Sequence, residues 1–347
     1  PPRPHCGMTT EQPLTSPGDR KGAAEDTRSR ADTSGSSPGK SGPGSVPRPG
    51  KSIPPQGLLG VIQSPMVRVV LLIACYALGG MAGKHASFMA GSVHLIWPPA
   101  GLALAAVVLL GWQYAPAVAF GSVLFSLLNG APLDLLTFST ALGNTVGALL
   151  CAYLLERFAQ FNPAMSRVRD VAGLLVLGCV LGPTMNALFE GVGQLHIGQI
   201  AVDDLFPAVL AAWVPNAMAA LVIAPFIFAW GTGEPPEWRR GLGWEGALCA
   251  AGLIGGTFVS FNSWFVYGIE HFPLAFLPCP FLVWGALRFG QRGAATGTLI
   301  VAIMAIAELL QGRGPFIANT EKESLLLIGS YLSLLGATNL LLAAGAS

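Results

Sequence analysis

From residue 66 onward the chain is a series of long apolar runs with almost no charge inside them. Ten stand out, at 66–83, 95–111, 114–130, 133–156, 171–190, 205–230, 245–266, 272–289, 293–310 and 323–345. Each is long enough, or nearly so, to cross the roughly 30 Å of hydrocarbon in a bilayer. Only 11% of the 347 residues are charged, where a soluble domain carries about 25%. The implied fold class is all-α, a polytopic transmembrane helix bundle of eight to ten spans, with ten preferred. Runs two and three are separated only by Trp112 and Gln113 and read as a tight helical hairpin. The eighth holds Pro273, Pro278 and Pro280, which suits a broken or re-entrant segment.

The charge left over crowds into residues 1–64, where "DTSGSSPGKSGPGSVPRPGKS" is the clearest part. Such a Pro/Gly/Ser-rich segment cannot bury enough apolar surface to offset its ordering entropy. It reads as a disordered cytoplasmic tail, followed by an integral-membrane domain at 65–347. No apolar core follows the first basic residues, so the tail is not a signal peptide, and Met8 is the expected start.

Orientation follows from the basic residues. With ten spans and the tail inside, the inner loops hold Arg157, Arg167, Arg169, Arg239, Arg240, Arg288 and Arg292. The outer loops hold Lys84, Arg313 and Lys322. This bias agrees with the positive-inside tendency and places both termini in the cytoplasm, as expected for a bacterial inner membrane. Glycine pairs four apart, Gly143/Gly147, Gly178/Gly182, Gly252/Gly256 and Gly293/Gly297, are candidates for close helix contact.

Nucleic acid is excluded as a partner class, because no basic stripe with interleaved aromatics occurs. Cys75, Cys151, Cys179, Cys249 and Cys279 fall inside apolar runs and read as small buried hydrophobes. No CxxC and no i, i+4 histidine pair appears, so neither a metal nor another cofactor is expected.

Polar side chains inside or beside the spans are the candidates for function, since they are costly there without partners. Asn144 lies mid-span, and Asn186 and Glu190 share a helix face four residues apart. Glu308 lies near the end of the ninth run. The stretch "HLIWPPAGLALA" places His94 and Trp97 at an outer boundary, with Pro98 and Pro99 as helix starters. "WVPNAMAALVIAPF" echoes it faintly, with Trp213, Pro215 and Asn216. Two such helix starts side by side would aim positive dipole ends at one outer cavity, suited to an anionic ligand. The candidate ligand pocket is therefore His94, Trp97, Asn144, Asn186, Glu190, Trp213, Asn216 and Glu308. The plainer alternatives are interhelical hydrogen bonding for Asn144, helix ends reaching water for Glu190 and Glu308, and an interfacial anchor for Trp97.

Several blocks in order, "WPPAGLALAAVVLLG", "APAVAFGSVLFSLLNG", "ALGNTVGALLCAYLLERF", "FLVWGALRFGQRGAATGTLI" and "GRGPF", resemble the membrane-associated sensor domain of bacterial signalling proteins, first of the MASE-type classes. The resemblance runs from about residue 66 to 347. It implies a sensory input domain that detects a signal at the outer face, with a histidine kinase or diguanylate cyclase as output or partner and a homodimer as an assembly. These 347 residues contain neither a kinase phosphoacceptor region nor a nucleotide-binding glycine box. The family often has an acidic residue where this chain has Asn216. A small-solute transporter is the alternative, supported by broken helices and buried polar groups. An enzyme is not expected, because no nucleophile–base or carboxylate pair stands out.

Overall fold

The computed structural model describes residues 64–89, 94–232, 242–262 and 272–346, and among them every regular element is helical. The predicted tail lies outside these residues, apart from Ser64. The helices are α1 (Pro65–Met89), α2 (Pro98–Leu110), α3 (Ala115–Leu128), α4 (Leu135–Leu154), α5 (Val168–His196), α6 (Leu205–Gly231), α7 (Leu242–Phe261), α8 (Cys279–Leu310) and α9 (Glu321–Ala346). Seven helical stretches are long and apolar enough to cross a membrane, and α2 and α3 are shorter apolar helices.

Local chemistry sets the ends. Pro98 and Pro99 occupy the first turn of α2, where a missing N–H is harmless. Gly111, at φ 103°, ends it. Asp134 caps α4 by accepting from the Thr137 N–H at 2.9 Å. Thr320 and Glu323 form a reciprocal capping box at the start of α9, with bonds of 3.2 and 3.3 Å. Wide π-type turns follow α4, at Leu155–Ala159, and lie within α5, at Leu174–Leu181. The second runs directly into Pro183, which cannot donate its N–H to the preceding turn.

α8 is one helix by name and two by geometry. At Gly290 the backbone takes φ 59°, ψ −144°, and the chain doubles back. Gly285 then lies against Gly293, and Leu282 against Gly297, contacts that no continuous helix makes. The arms, 279–289 and 291–310, are thus antiparallel neighbours.

Facing residues give the directions of the other helices. Tyr76 meets Gly121, Gly80 meets Phe125 and Lys84 meets Asn129, so α1 and α3 are parallel. Ser139, Gly143, Gly147 and Cys151 meet Gly193, Phe189, Asn186 and Gly182 in turn, so α4 and α5 are antiparallel. Trp97 meets Pro215 and Gly101 meets Ala219, which makes α2 and α6 parallel. Continued through α9, the ten helical rods of the described residues alternate in direction. One end of the bundle carries Arg68, Arg157, Arg167, Arg169, Arg288 and Arg292; the other carries Lys84 and Arg313.

Two expectations are corrected. α2 and α3 do not pair as a hairpin: they touch only near their turn, because α1 packs against both. α2 is instead buried on nearly every side, between α1, α4 and α6. And "WVPN" does not begin a helix. α6 starts at Leu205, two turns earlier, and holds Pro215 and Pro225 in its interior. Such prolines are tolerated in membrane helices because neighbours satisfy the freed backbone groups.

Candidate functional site

Three buried asparagines converge on one small cavity. Asn144 of α4, Asn186 of α5 and Asn216 of α6 line it, 5%, 8% and 4% exposed, with Ala100 and Leu104 of α2 on another side. Glycine makes the convergence possible. A Cβ on Gly147 would strike the Asn186 side-chain oxygen and approach the Gly182 carbonyl to 2.9 Å. A Cβ on Gly182 would strike Cys151. The predicted pair Gly143/Gly147 and Gly182 of the second pair thus lie in the α4–α5 contact, while Gly178 faces Leu104 of α2, and the side chain missing at Gly147 is the space that Asn186 occupies.

The cavity volume is about 20 Å³, room for one water-sized occupant by the usual requirement of about 10–15 Å³. Its polar atoms are unevenly satisfied. Asn144 Nδ2 donates to Ser122 Oγ at 3.1 Å, and Asn216 Nδ2 donates to the Ala212 carbonyl at 2.7 Å. The side-chain oxygens of Asn186 and Asn216 are buried without a hydrogen-bond partner among the described residues. Two residues that line the cavity thus each carry a buried acceptor with no donor among the described residues. An unsatisfied acceptor in such surroundings costs about 1–3 kcal/mol.

The polar strip continues beyond the cavity. The fully buried Tyr76 hydroxyl of α1 faces Ser122, without hydrogen-bond geometry, and lies within electrostatic reach of Glu190. Glu190 is partly buried one turn past Asn186 and accepts from Gln194 Nε2 at 3.3 Å. Neither Tyr76 nor Ser122 was singled out from the sequence. Ser122 is a lone hydroxyl among apolar residues, and Tyr76 reads as one more apolar aromatic.

The remaining candidates are elsewhere. His94 and Trp97 pack ring to ring at 5.2 Å, and Trp97 meets Phe125 edge-on at 5.2 Å. They close the far end of α1 and α3 above Gly83. Burial pushes the His94 imidazole below its ordinary pKa, partly opposed by a hydrogen bond to the Gly83 backbone. Trp97 also ties α2 to α6, its backbone N–H donating to the Pro215 carbonyl at 3.0 Å. The Trp213 ring turns away toward α5, where Nε1 donates to Val180 O at 3.2 Å and Thr184 Oγ1 at 3.1 Å. Neither ring lines the asparagine cavity. Glu308 lies at the end of the second arm of α8, in the other half of the bundle, with one carboxylate oxygen buried and unpartnered among the described residues. The eight residues therefore do not form one pocket: the asparagines form its floor, and His94 and Trp97 stand at the end above.

A polar joint missed by the sequence reading lies at the basic end. Gln291, only 8% exposed, donates to Met165 O at 2.8 Å and Leu340 O at 3.0 Å. It ties the turn of α8 to the α4–α5 loop and to the last helix. It was missed because it sits between Gly290 and Arg292, where a sequence reads as a solvated loop. Among the described residues no group of three or more His, Cys, Asp or Glu is placed to hold a metal ion.

Residues 68–347 match one family model, MASE1. Neither a curated protein nor a solved structure matches the chain.

Proposed function

We propose, from the premise that this chain belongs to MASE1, a family of membrane sensory domains, that the asparagine cavity is the seat of its sensing. The observation that carries this reading is that Asn186 and Asn216, lining one cavity from two helices, each bury a side-chain oxygen without a partner among the described residues. A polar group held at that depth is a functional signal by default. A stimulus arriving between His94, Trp97 and Glu190 would change how α5 and α6 meet across it. The consequence would travel along α6 and α8 to Gln291 and the Leu340 carbonyl on α9, next to the end from which a cytoplasmic output or partner is driven. A histidine kinase or diguanylate cyclase, and a second copy of the chain, are the partners this layout suits.

Ten crossings with both ends of residues 65–347 in the cytoplasm are part of the proposal. The alternating directions of the ten rods and the basic residues gathered at one end support it. A reporter fused after Ser347 is expected to read as cytoplasmic; a periplasmic reading would overturn the topology. The interrupted helices at Pro183, Pro215 and Gly290 are also what a transporter uses. Flux of solutes into proteoliposomes separates the two readings: none is expected, and saturable uptake would replace the sensor by a permease.

A further inference from the structure

The wide segment of α5, Leu174–Leu181, ends against Pro183. In a wide turn each carbonyl accepts from the N–H five residues on, and in an α-turn from the N–H four residues on. Proline has no N–H to give. The carbonyl it leaves bare is therefore Gly178 O when the turn before it is wide, and Cys179 O when that turn is ordinary. The ordinary turn is intrinsically preferred, since wide segments are rare. Here something offsets that preference.

Side chains of three helices serve the carbonyls of the wide segment. The Cys151 thiol of α4 donates to Leu177 O at 3.2 Å and to Gly178 O, the carbonyl left bare by Pro183, at 3.6 Å. Thr184 Oγ1 of α5 donates to Val180 O at 2.7 Å. Trp213 Nε1 of α6 divides its single N–H between Val180 O and Thr184 Oγ1, at 3.2 and 3.1 Å. Gly182 makes room for this, because a Cβ there would strike Cys151. No side chain of the described residues donates to Cys179 O, the carbonyl bare in the ordinary register. The donors on the page thus favour the wide register, but a thiol is a weak donor, so the two registers differ by little.

We propose that this segment is a register switch. It exchanges between the wide turn held by Cys151 and Trp213 and an ordinary α-turn, and each exchange rotates the helix beyond Pro183 against the helix before it. The two parts so joined have different duties. Asp170, before the wide segment, is fully buried and accepts from the Asn162 N–H at 3.2 Å, which anchors that end to the α4–α5 loop. Asn186, three residues past the proline, lines the asparagine cavity and turns with the far part. The inference goes beyond the sensing proposal and stands whether or not that cavity takes a stimulus.

The sequence allows a direct test. Gly–Cys and Cys–Val each occur once, at 178–179 and 179–180. The full chain in bicelles, labelled with ¹³C-carbonyl glycine and ¹⁵N cysteine, or with ¹³C-carbonyl cysteine and ¹⁵N valine, reports each carbonyl alone by nuclear magnetic resonance. Saturation transfer then reads the exchange, expected on roughly the millisecond scale of helix register shifts. Two exchanging signals are expected for each carbonyl. Cys151→Ala should deplete the wide register about fivefold, the weight of one modest hydrogen bond. Cys151→Ser, a better donor in the same place, should enrich it. Trp213→Phe should act like Cys151→Ala. Pro183→Ala supplies an N–H to either register and should leave one signal, that of the ordinary turn. A single unexchanging signal per carbonyl in the wild type, or shifts in the same direction for Cys151→Ala and Cys151→Ser, would overturn the proposal. The Cys151 pair decides the matter if the proline variant fails to fold. Failure here leaves the asparagine reading intact, because a rigid α5 still carries Asn186 to that cavity.

Discussion

The two cavities of this bundle use glycine in opposite ways. Between α4 and α5, Gly143, Gly147 and Gly182 let backbones close until a cavity of only about 20 Å³ remains, and polar side chains take up the space. Between α7 and α8, a Cβ on Gly246 would meet only the Phe289 ring, at 3.6 Å, and about 530 Å³ stays open among the described residues. The same residue type draws helices together where both partners are small and polar groups can bridge. It leaves a cleft where the residue across stands off, as Phe289 does from Gly246, whereas Phe281 closes on Gly252 about one and a half turns along the same helix. Glycine content alone therefore does not tell a contact from a gap; the partner across the interface does.

The sharpest way to break this comparison is to add a side chain on each side. Gly147→Leu should cost about 3 kcal/mol, since backbone and Asn186 stand in the way. Gly246→Ala should cost less than about 0.5 kcal/mol, having room to spare. Unfolding in detergent measures both, and equal losses would dissolve the contrast. The next test is within the polar cavity. Asn144→Leu strips Ser122 of its partner and should lose about 1 kcal/mol, an ordinary value for a hydrogen bond between membrane helices. Asn186→Leu removes an unpartnered acceptor and should leave stability unchanged or raise it. A loss at Asn186 comparable to that at Asn144 would mean that a bound donor completes the cavity, which sharpens the sensing site rather than removing it.

Surface and pH effects should be smaller. Asp203, exposed in the short turn before α6, should tolerate alanine within about 0.5 kcal/mol, and Glu190→Ala should exceed it. His94 is held below its ordinary pKa of 6.5, so the unfolded chain takes up a proton before the folded one does. Stability is therefore full above pH 6.5 and falls as pH drops through 6.5 toward the lower folded value. His94→Gln should flatten that slope between pH 7.5 and 5, followed by thermal unfolding; an unchanged slope would assign it to another group.

Much of this was legible because membrane crossing is a one-dimensional property. A run of apolar residues announces a helix without reference to any other part of the chain, and the α8 arms were separable because Gly290 and its polar neighbours punctuate the run. Asn144, Asn186 and Asn216 stood out for the same reason, each a polar group where polarity is costly. Partners are another matter. Glu308 was grouped with Asn186 because both lie in or near spans, yet which helix faces which is settled by three-dimensional packing. Trp213 misled through Pro215, whose start signal in a soluble helix is a tolerated interior residue in a long apolar one. Gln291 was invisible because a short polar turn reads as solvated until the last helix is laid across it.

The doubling back at Gly290 also bears on how the protein is made. The α-helical part of the first arm, 279–289, covers about 16 Å at 1.5 Å per residue, roughly half the hydrocarbon thickness, and the turns of 272–278 must supply the rest of a crossing. Such a segment is a poor substrate for the insertion machinery on its own, and the backbone geometry at its end suits glycine. The arm is expected to enter the bilayer paired with the second, once that has emerged. A bulkier residue at 290 would then act first on biogenesis, lowering the yield of inserted chain before any effect on the finished bundle is felt.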